Sequence, residues 1–239
     1  MRIAIIGYGR MGHEIETMAL ERGHTVAVKV DNDNADDIAK IVPSEVDVAI
    51  EFSNPNSAFS NVTTCLNKGV AIVSGTTGWN DNLFKAIELA QKSKVAFFYS
   101  SNFSLGVNIF FKVNSLLSRY INAVPGYSAS IREIHHTQKI DAPSGTAITL
   151  ANIISKEIDN LNGWTLLPQS ELGKIPIEAV REGSVPGTHI VTYESEQDKI
   201  EFAHYAKSRR GFALGAVIAG EFLQGKKGYF TMDDLLHFE

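Results

Sequence analysis

Cysteine is almost missing from this chain: Cys65 stands alone among 239 residues. A single thiol excludes an internal disulfide and fits a reducing compartment. It also leaves no thiolate pair for a metal, so Cys65 is expected to be a half-buried helix residue. Excess positive charge is missing too. With 22 basic and 27 acidic residues the net charge is -5, so the chain lacks the basic field of a dedicated nucleic-acid binder. No histidine pair has H-E-x-x-H spacing, and no metal site is expected. Long apolar runs are absent as well. The stretch from Phe212 to Leu223 is too short to span a bilayer and is interrupted by Glu221. Met1–Gly7 is too short for a signal peptide and lacks a small-residue cleavage site. Internal repeats and low-complexity segments do not occur. These absences predict a soluble, cytoplasmic protein that binds neither membrane nor nucleic acid.

What is present is an ordinary globular balance, 44% hydrophobic and 21% charged, over a length that suits one large or two small domains. The aliphatic run Ile3–Ile6 reads as a strand buried on both faces, and it leads directly into Gly7-Tyr8-Gly9-Arg10-Met11-Gly12. A helical pattern follows to about Arg22, then a strand over Thr25–Val30 that ends at Asp31. Glycines between a strand and a helix, with an acidic residue about 20 positions on, are the dinucleotide-binding arrangement. Its physics is direct. Glycines admit a pyrophosphate close to the backbone, and the helix start offers unpaired N–H groups. Arg10 either touches a phosphate or is an exposed first-turn residue.

The alternation continues with strands over Asp47–Phe52, Val70–Val73 and Val95–Phe98, and helices over 56–67 and 80–91. Five strands alternating with helices imply a parallel sheet covered on both faces. Three of the strands end in small polar clusters: Phe52-Ser-Asn-Pro55, Ser74-Gly75-Thr76-Thr77-Gly78 and Tyr99-Ser100-Ser101-Asn102-Phe103. Ligands of open α/β sheets lie outside the carboxyl ends of strands, so these loops are candidate cofactor contacts.

After Phe103 the pattern changes. A long helix over Leu105–Ala123 is followed by extended Ser128–His136, helical Ser144–Ile158 and extended runs at 175–180, 189–193 and 199–205. Strands without helices between them predict an antiparallel or mixed sheet, hence a second domain. The apolar helix 212–224 is expected to return to the first. The predicted fold is therefore α/β: a Rossmann-type dinucleotide-binding domain over 1–104 and 210–239, and a smaller α+β substrate and oligomerisation domain over 105–209. Asn160–Lys174 reads as a surface loop.

The densest chemistry lies in Glu133-Ile-His135-His136-Thr-Gln-Lys139-Ile-Asp141-Ala-Pro143-Ser144-Gly145-Thr146-Ala147. On a strand His135 and His136 face opposite ways, so they cannot share a metal unless the strand ends between them. Histidine exchanges protons near neutrality, and Lys139 adds a positive charge and another proton. Ser144-Gly145-Thr146 opens a helix whose free N–H groups suit a carboxylate.

This stretch resembles the signature of the 4-hydroxy-tetrahydrodipicolinate reductase (dihydrodipicolinate reductase) family. The resemblance extends over nearly the whole chain, through Gly7-x-Gly-Arg-Met-Gly12, Gly75-Thr-Thr-Gly78, Ser101-Asn-Phe-Ser-Leu-Gly106 and His204-x-Ala-x-Ser-Arg209. It implies hydride transfer from NADH or NADPH to a cyclic unsaturated dicarboxylate, with loss of water, on the route to diaminopimelate and lysine. It implies His135 as proton donor and acceptor and Lys139 as a second donor. His136, Lys139, Ser144, Gly145, Thr146 and Arg209 would hold the carboxylates. Gly7, Gly9, Arg10, Met11, Gly12, Asp31, Phe52, Gly75, Thr76, Thr77, Ser100, Ser101, Asn102 and Phe103 would hold the dinucleotide. Asn32 stands where many members carry an arginine for the 2′-phosphate, which tips the expectation toward NADH. A homotetramer built through the second domain's sheet is implied too. Another two-domain dehydrogenase of a small acid, or a dinucleotide sensor without chemistry, would share the first domain but not this catalytic stretch.

Overall fold

A computed structural model describes residues 1–237, so the last two residues of the predicted first domain lie outside the described residues. The chain divides into two compact units. One comprises Met1–Leu105 and the chain from Arg209 onward, the other Gly106–Ser208. Leu105 and Arg209, assigned by sequence to the second domain, thus fall in the first. Leu105 packs on the first unit's apolar core, and Arg209 is the residue from which the helix Arg210–Phe222 starts.

In the first unit, strands β1 (Arg2–Ile6), β2 (Thr25–Val30), β3 (Val48–Glu51), β4 (Ala71–Ser74) and β5 (Ala96–Tyr99) alternate with helices α1 (Arg10–Glu21), α2 (Pro55–Asn67) and α3 (Asn80–Ser93). A 3-10 segment over Asn32–Lys40, which the sequence reading lacked, follows Asp31. The chain then passes through α4 (Leu105–Asn122) and the second unit, and comes back as α6 (Arg210–Phe222), after which β11 (Gly228–Phe230) and α7 (Met232–Leu236) complete the first unit. The sheet order is β11-β5-β4-β3-β1-β2 and every pairing is parallel. The sixth strand, β11, was not expected from sequence. Only three residues long, it carries too little pattern to register. The strand order reverses beside β1, so β1 and β3 flank the topological switch point where such sheets bind ligands.

Both faces of this sheet are apolar because alternate strand residues feed two cores. Ile3, Ile5, Val48, Ile50, Val73 and Phe98 pack under α1 and α6. Ala4, Ile6, Ala49, Ile72 and Phe97 pack under α2 and α3, with Cys65 in the same core. Cys65 is fully buried rather than half-buried, and burial pushes its thiol up to about 12. Helix α6 seats tightly because it is rich in glycine and alanine. A methyl group at Gly215 would stand 1.8 Å from the Phe103 carbonyl oxygen.

The second unit holds β6 (Ser128–His135), α5 (Gly145–Glu157), β7 (Trp164–Leu166), β8 (Ile175–Arg181), β9 (Thr188–Glu194) and β10 (Lys199–Tyr205). Its sheet, ordered β10-β9-β6-β8-β7, is mixed: β9 is antiparallel to β6 and β10, whereas β8 is parallel to β6 and β7. Strand β7 lies inside the segment expected to be loop. Three half-buried residues paired to β8 suffice to make it. Residues Ala129, Ile131, Ile177, Val191 and Tyr193 form the core with Ala147, Leu150, Ala151 and Ile154 of α5. No helix among the described residues is long and apolar enough to cross a membrane.

Candidate active site

The first unit gathers its candidate residues at the carboxyl ends of β1 to β5. Gly7 has φ +90°, and a side chain there would stand 2.1 Å from the Phe52 carbonyl oxygen. Only glycine meets both demands. At Gly12 an added methyl would lie 2.5 Å from the Gly7 carbonyl oxygen, whereas at Gly9 it would meet nothing within 4 Å. The first and third glycines therefore serve close packing, and the middle one keeps the approach open. Helix α1 begins after Gly9 with no side-chain cap, so its first-turn N–H groups remain for an external anion. Arg10 is exposed and Met11 half-buried.

Beneath the next two loops lies Glu51, fully buried at the end of β3. One of its oxygens accepts from the Ser53 N–H at 2.9 Å, from the Thr76 hydroxyl at 2.7 Å and from the Ser53 hydroxyl. The other accepts from the Ser74 hydroxyl at 2.6 Å. The loops after β3 and β4 are thus tied to one carboxylate. Phe52 stands between them, with its ring filling the space a side chain at Gly75 would need. Phe103 packs on Phe52 at 5.4 Å and on Phe98 at 5.8 Å. Ser100 holds its own loop shut, donating to the Asn102 carbonyl at 2.8 Å while accepting from the Asn102 N–H at 3.2 Å. Thr77 and Ser101 are exposed on these loops. Asp31 follows β2 and accepts from the Asn32 N–H at 2.9 Å. These features fit a dinucleotide: an uncapped helix start, glycines with no room for a side chain, and an acidic residue after β2.

The second unit builds its cluster from sheet register. Along β6, Ala129, Ile131, Glu133 and His135 are buried while the residues between them are less so. His189 of β9 lies directly opposite Glu133, and Arg181 of β8 opposite His135. Glu133 is fully buried. Its oxygens accept from the Ser144 N–H at 3.0 and 3.1 Å and from Arg181 at 3.0 Å. Nε2 of His135 and Nε2 of His189 each stand 3.7 Å from Glu133 and 3.4 Å from each other. Ser144, the N-cap of α5, places its hydroxyl 3.1 Å from His189 Nε2 and accepts from the Ala147 N–H at 3.3 Å. Its polar groups are therefore engaged internally. The exposed Gly145 and half-buried Thr146 supply the first-turn N–H groups that helix geometry leaves unpaired.

Lys139 is partly exposed and lies 2.8 Å from both oxygens of Asp141. Its charge and Glu133, Arg181 and His135 set the local proton balance. Burial lowers the affinity of His135 for a proton, Glu133 partly offsets this, and Lys139 and Arg181 reinforce it. His189 is pushed down to about 3 by burial, then by His135, His204 and Lys139. His136 lies just past the end of β6, half-buried, and Arg209 is exposed in the first unit.

Glu133, His135 and His189 offer atoms within 4.8 Å of one another, close enough to hold a metal ion. The sequence argument against metal considered only neighbours in the chain and could not see this cross-strand group. Its chemistry still favours hydrogen bonding. Both Glu133 oxygens are engaged, and Nδ1 of His189 is buried with no partner, whereas a metal-bound imidazole normally donates through its second nitrogen. Sequence reasoning missed His189, Arg181 and Glu51. Alternation along 189–193 marked a strand, but which strand it pairs with, and so that His189 meets Glu133, is set by long-range register.

The comparisons agree with both halves. The family model for the N-terminus of dihydrodipicolinate reductase matches residues 1–103, and that for its C-terminus matches residues 106–236. The 4-hydroxy-tetrahydrodipicolinate reductase of Christiangramia forsetii is 52% identical over 238 residues, covering 99% of this chain and 98% of its own. The protein of that name from Thermosipho africanus is 34% identical over the same shares of the two chains. Among solved structures, a dipicolinate-bound dihydrodipicolinate reductase from Paenisporosarcina sp. TG-14 has the same fold, with a TM-score of 0.82 at 23% identity over 97% of each chain. The chain belongs to the dihydrodipicolinate reductase family.

Proposed function

We propose that the two units share one reaction, the first holding the nicotinamide dinucleotide and the second the dicarboxylate and the proton. The chain is an oxidoreductase that reduces 4-hydroxy-tetrahydrodipicolinate to tetrahydrodipicolinate, with loss of water, in diaminopimelate and lysine biosynthesis. The observation that carries this is the 52% identity to a named reductase along the full chain. When bound, the reduced nicotinamide supplies the hydride.

The residues of this chain do the rest. Gly7, Gly9, Met11, Gly12 and the start of α1 hold the pyrophosphate, with Arg10 beside it. The loops tied to Glu51 (Phe52, Gly75, Thr76 and Thr77) and the Ser100–Phe103 loop enclose the nicotinamide side. Gly145 and Thr146 hold one carboxylate through backbone N–H groups, with Ser144 shaping the turn from inside. His136, Lys139 and Arg209 supply positive or hydrogen-bonding groups to the dicarboxylate. Addition of hydride leaves negative charge on the conjugated ring, which a cationic proton donor stabilises. Lys139 suits that part because its ammonium is partly exposed and bonded to Asp141 rather than enclosed. The resemblance gave His135 the first proton role. In this reading His135 keeps that role beside Lys139, with its Nε2 toward His189 and Glu133 and its Nδ1 the nitrogen left for exchange.

NADH is the preferred cofactor in this reading. Asp31, the acidic residue after β2, would accept ribose hydroxyls; Asn32 supplies no cation, and Lys29 is held by Glu16 at 2.6 Å and Tyr8 at 3.0 Å. We place the enzyme in the cytoplasm as a homotetramer. The exposed apolar residues Ile200, Tyr205 and Leu172 of the second unit support that assembly. Oxidation of NADH and NADPH on addition of freshly made 4-hydroxy-tetrahydrodipicolinate tests the reaction, and no oxidation with either would sink it. Light scattering tests the tetramer, for which a monomer mass would be contrary.

A further inference from the structure

The stretch between β6 and α5 carries most of the proposed substrate contacts, yet its own backbone secures only part of it. The Thr137 N–H donates to the Gly183 carbonyl at 3.2 Å and the Lys139 N–H to the His136 carbonyl at 3.1 Å. From 140 to 143 no backbone–backbone hydrogen bond occurs among the described residues. Ile140, Asp141 and Ala142 are exposed, so packing does not anchor them either.

A side chain from β8 takes over. Nη2 of Arg181 carries two hydrogens, and two acceptors face it: the Asp141 carbonyl oxygen at 2.6 Å and Oε1 of Glu133 at 3.0 Å. Nη1 donates to the Val180 carbonyl at 2.8 Å, which ties the guanidinium to its own strand. Glu133 in turn accepts from the Ser144 N–H. One arginine and the carboxylate it holds thus grip both ends of the segment from Asp141 to Ser144.

We propose that Arg181 is a positioning residue for the dicarboxylate: it holds the Asp141 carbonyl and, through Glu133, the Ser144 N–H. It thereby fixes where the segment between them runs. What flanks the segment gives this its meaning. Before it, the Asp141 carboxylate binds Lys139 at 2.8 Å through both oxygens. After it, the first turn of α5 presents the N–H groups of Gly145 and Thr146. Arg181 therefore sets the spacing between a cation and an anion-receiving helix start, which a rigid dicarboxylate must meet together. The Arg181 side chain is 20% exposed and that of Glu133 fully buried, so these charge-assisted bonds are little weakened by water. The inference rests on this stretch being the proposed dicarboxylate site.

Two variants separate positioning from the plain need to neutralise Glu133. Arg181→Lys keeps a positive charge beside Glu133 but lacks the planar fork tied to Val180. Arg181→Met combined with Glu133→Gln removes both charges and leaves none buried without a partner. Full-length enzyme saturated with NADH is titrated with pyridine-2,6-dicarboxylate, a rigid dicarboxylate probe. Substrate KM, the NADH Kd and the thermal midpoint are measured alongside. Both variants should melt and bind NADH much as the wild type does, while the probe Kd and the substrate KM rise about 10-fold or more. Wild-type probe affinity in Arg181→Lys would reduce the arginine to charge compensation and overturn the proposal. So would NADH affinity lost in step with that for the probe. In the wild type, hydrogen exchange at the Ser144 amide should be slow, and fast exchange overturns the proposal even if neither variant folds. A wild type that binds the probe but oxidises no NADH with substrate counts against the reductase reading, and the clamp is then judged on the probe alone. A wild type that binds no probe removes the site, and the proposal with it.

Discussion

Two carboxylates are fully buried near the carboxyl ends of strands, one in each unit, and their neighbours differ in kind. Glu51 is held by three hydroxyls and a backbone N–H, all neutral groups with no proton to exchange near pH 7. Glu133 is held by an arginine and a backbone N–H, with two imidazoles 3.7 Å away. The same side chain therefore does different work. In the first unit it fixes the shape of the two loops after β3 and β4, the proposed cofactor contacts. In the second it anchors a cluster of two imidazoles and an arginine at the proposed substrate side. Burial alone does not reveal a role; the identity of the donors does.

Removing the proposed proton donor should break the comparison most visibly. Lys139→Ala is expected to lower kcat by about 100-fold or more while the Kd for NADH stays near wild type, as loss of a positioned general acid does. Steady-state kinetics with cofactor-binding fluorescence checks this, and a collapse of NADH binding would contradict the division between units. Next come the carboxylates themselves. Glu133→Leu leaves the Arg181 charge without its partner and should cost about 3 kcal/mol, whereas Glu51→Leu leaves neutral donors, some of which can rotate, and should cost about 1–3 kcal/mol. Denaturant midpoints measure both, and a larger loss for Glu51→Leu would reverse the assignment.

A smaller effect is expected from acid. His135, His189 and His204 all bind protons less readily folded than unfolded, chiefly because they are buried. Between the ordinary histidine value of 6.5 and the carboxylate range, the unfolded chain therefore takes up more protons, and stability falls as pH falls. Thermal melts across that window should show a decline that His189→Phe lessens. The smallest effect concerns the adenine side. Asp31→Ala should weaken NADH more than NADPH, and equal weakening would remove the ribose assignment.

The parallel order of the first unit was legible because each strand is a short aliphatic run closed by a glycine or polar cluster. The glycine motif was legible because close packing at Gly7 and Gly12 leaves no other residue type possible. Strands β7 and β11 were not, since three half-buried residues carry no periodicity that distinguishes them from loop. The stretch Glu133–Ala147 could be singled out because its ionisable residues are close in sequence. His189 and Arg181 could not, because they reach Glu133 and His135 only through the pairing of β9 and β8 with β6. Glu51 looked like one more residue of a buried strand; its importance comes from hydroxyls at Ser53, Ser74 and Thr76, which sequence showed only as loop composition.

The division of labour is tested most directly by one paired measurement, NADH affinity and saturated turnover in Glu51→Gln and Glu133→Gln. An amide in place of either carboxylate keeps the volume but loses one acceptor and adds a donor. The account predicts weaker NADH binding only in Glu51→Gln and a fall in kcat at saturating cofactor only in Glu133→Gln. Equal loss of NADH affinity in the two variants would contradict it.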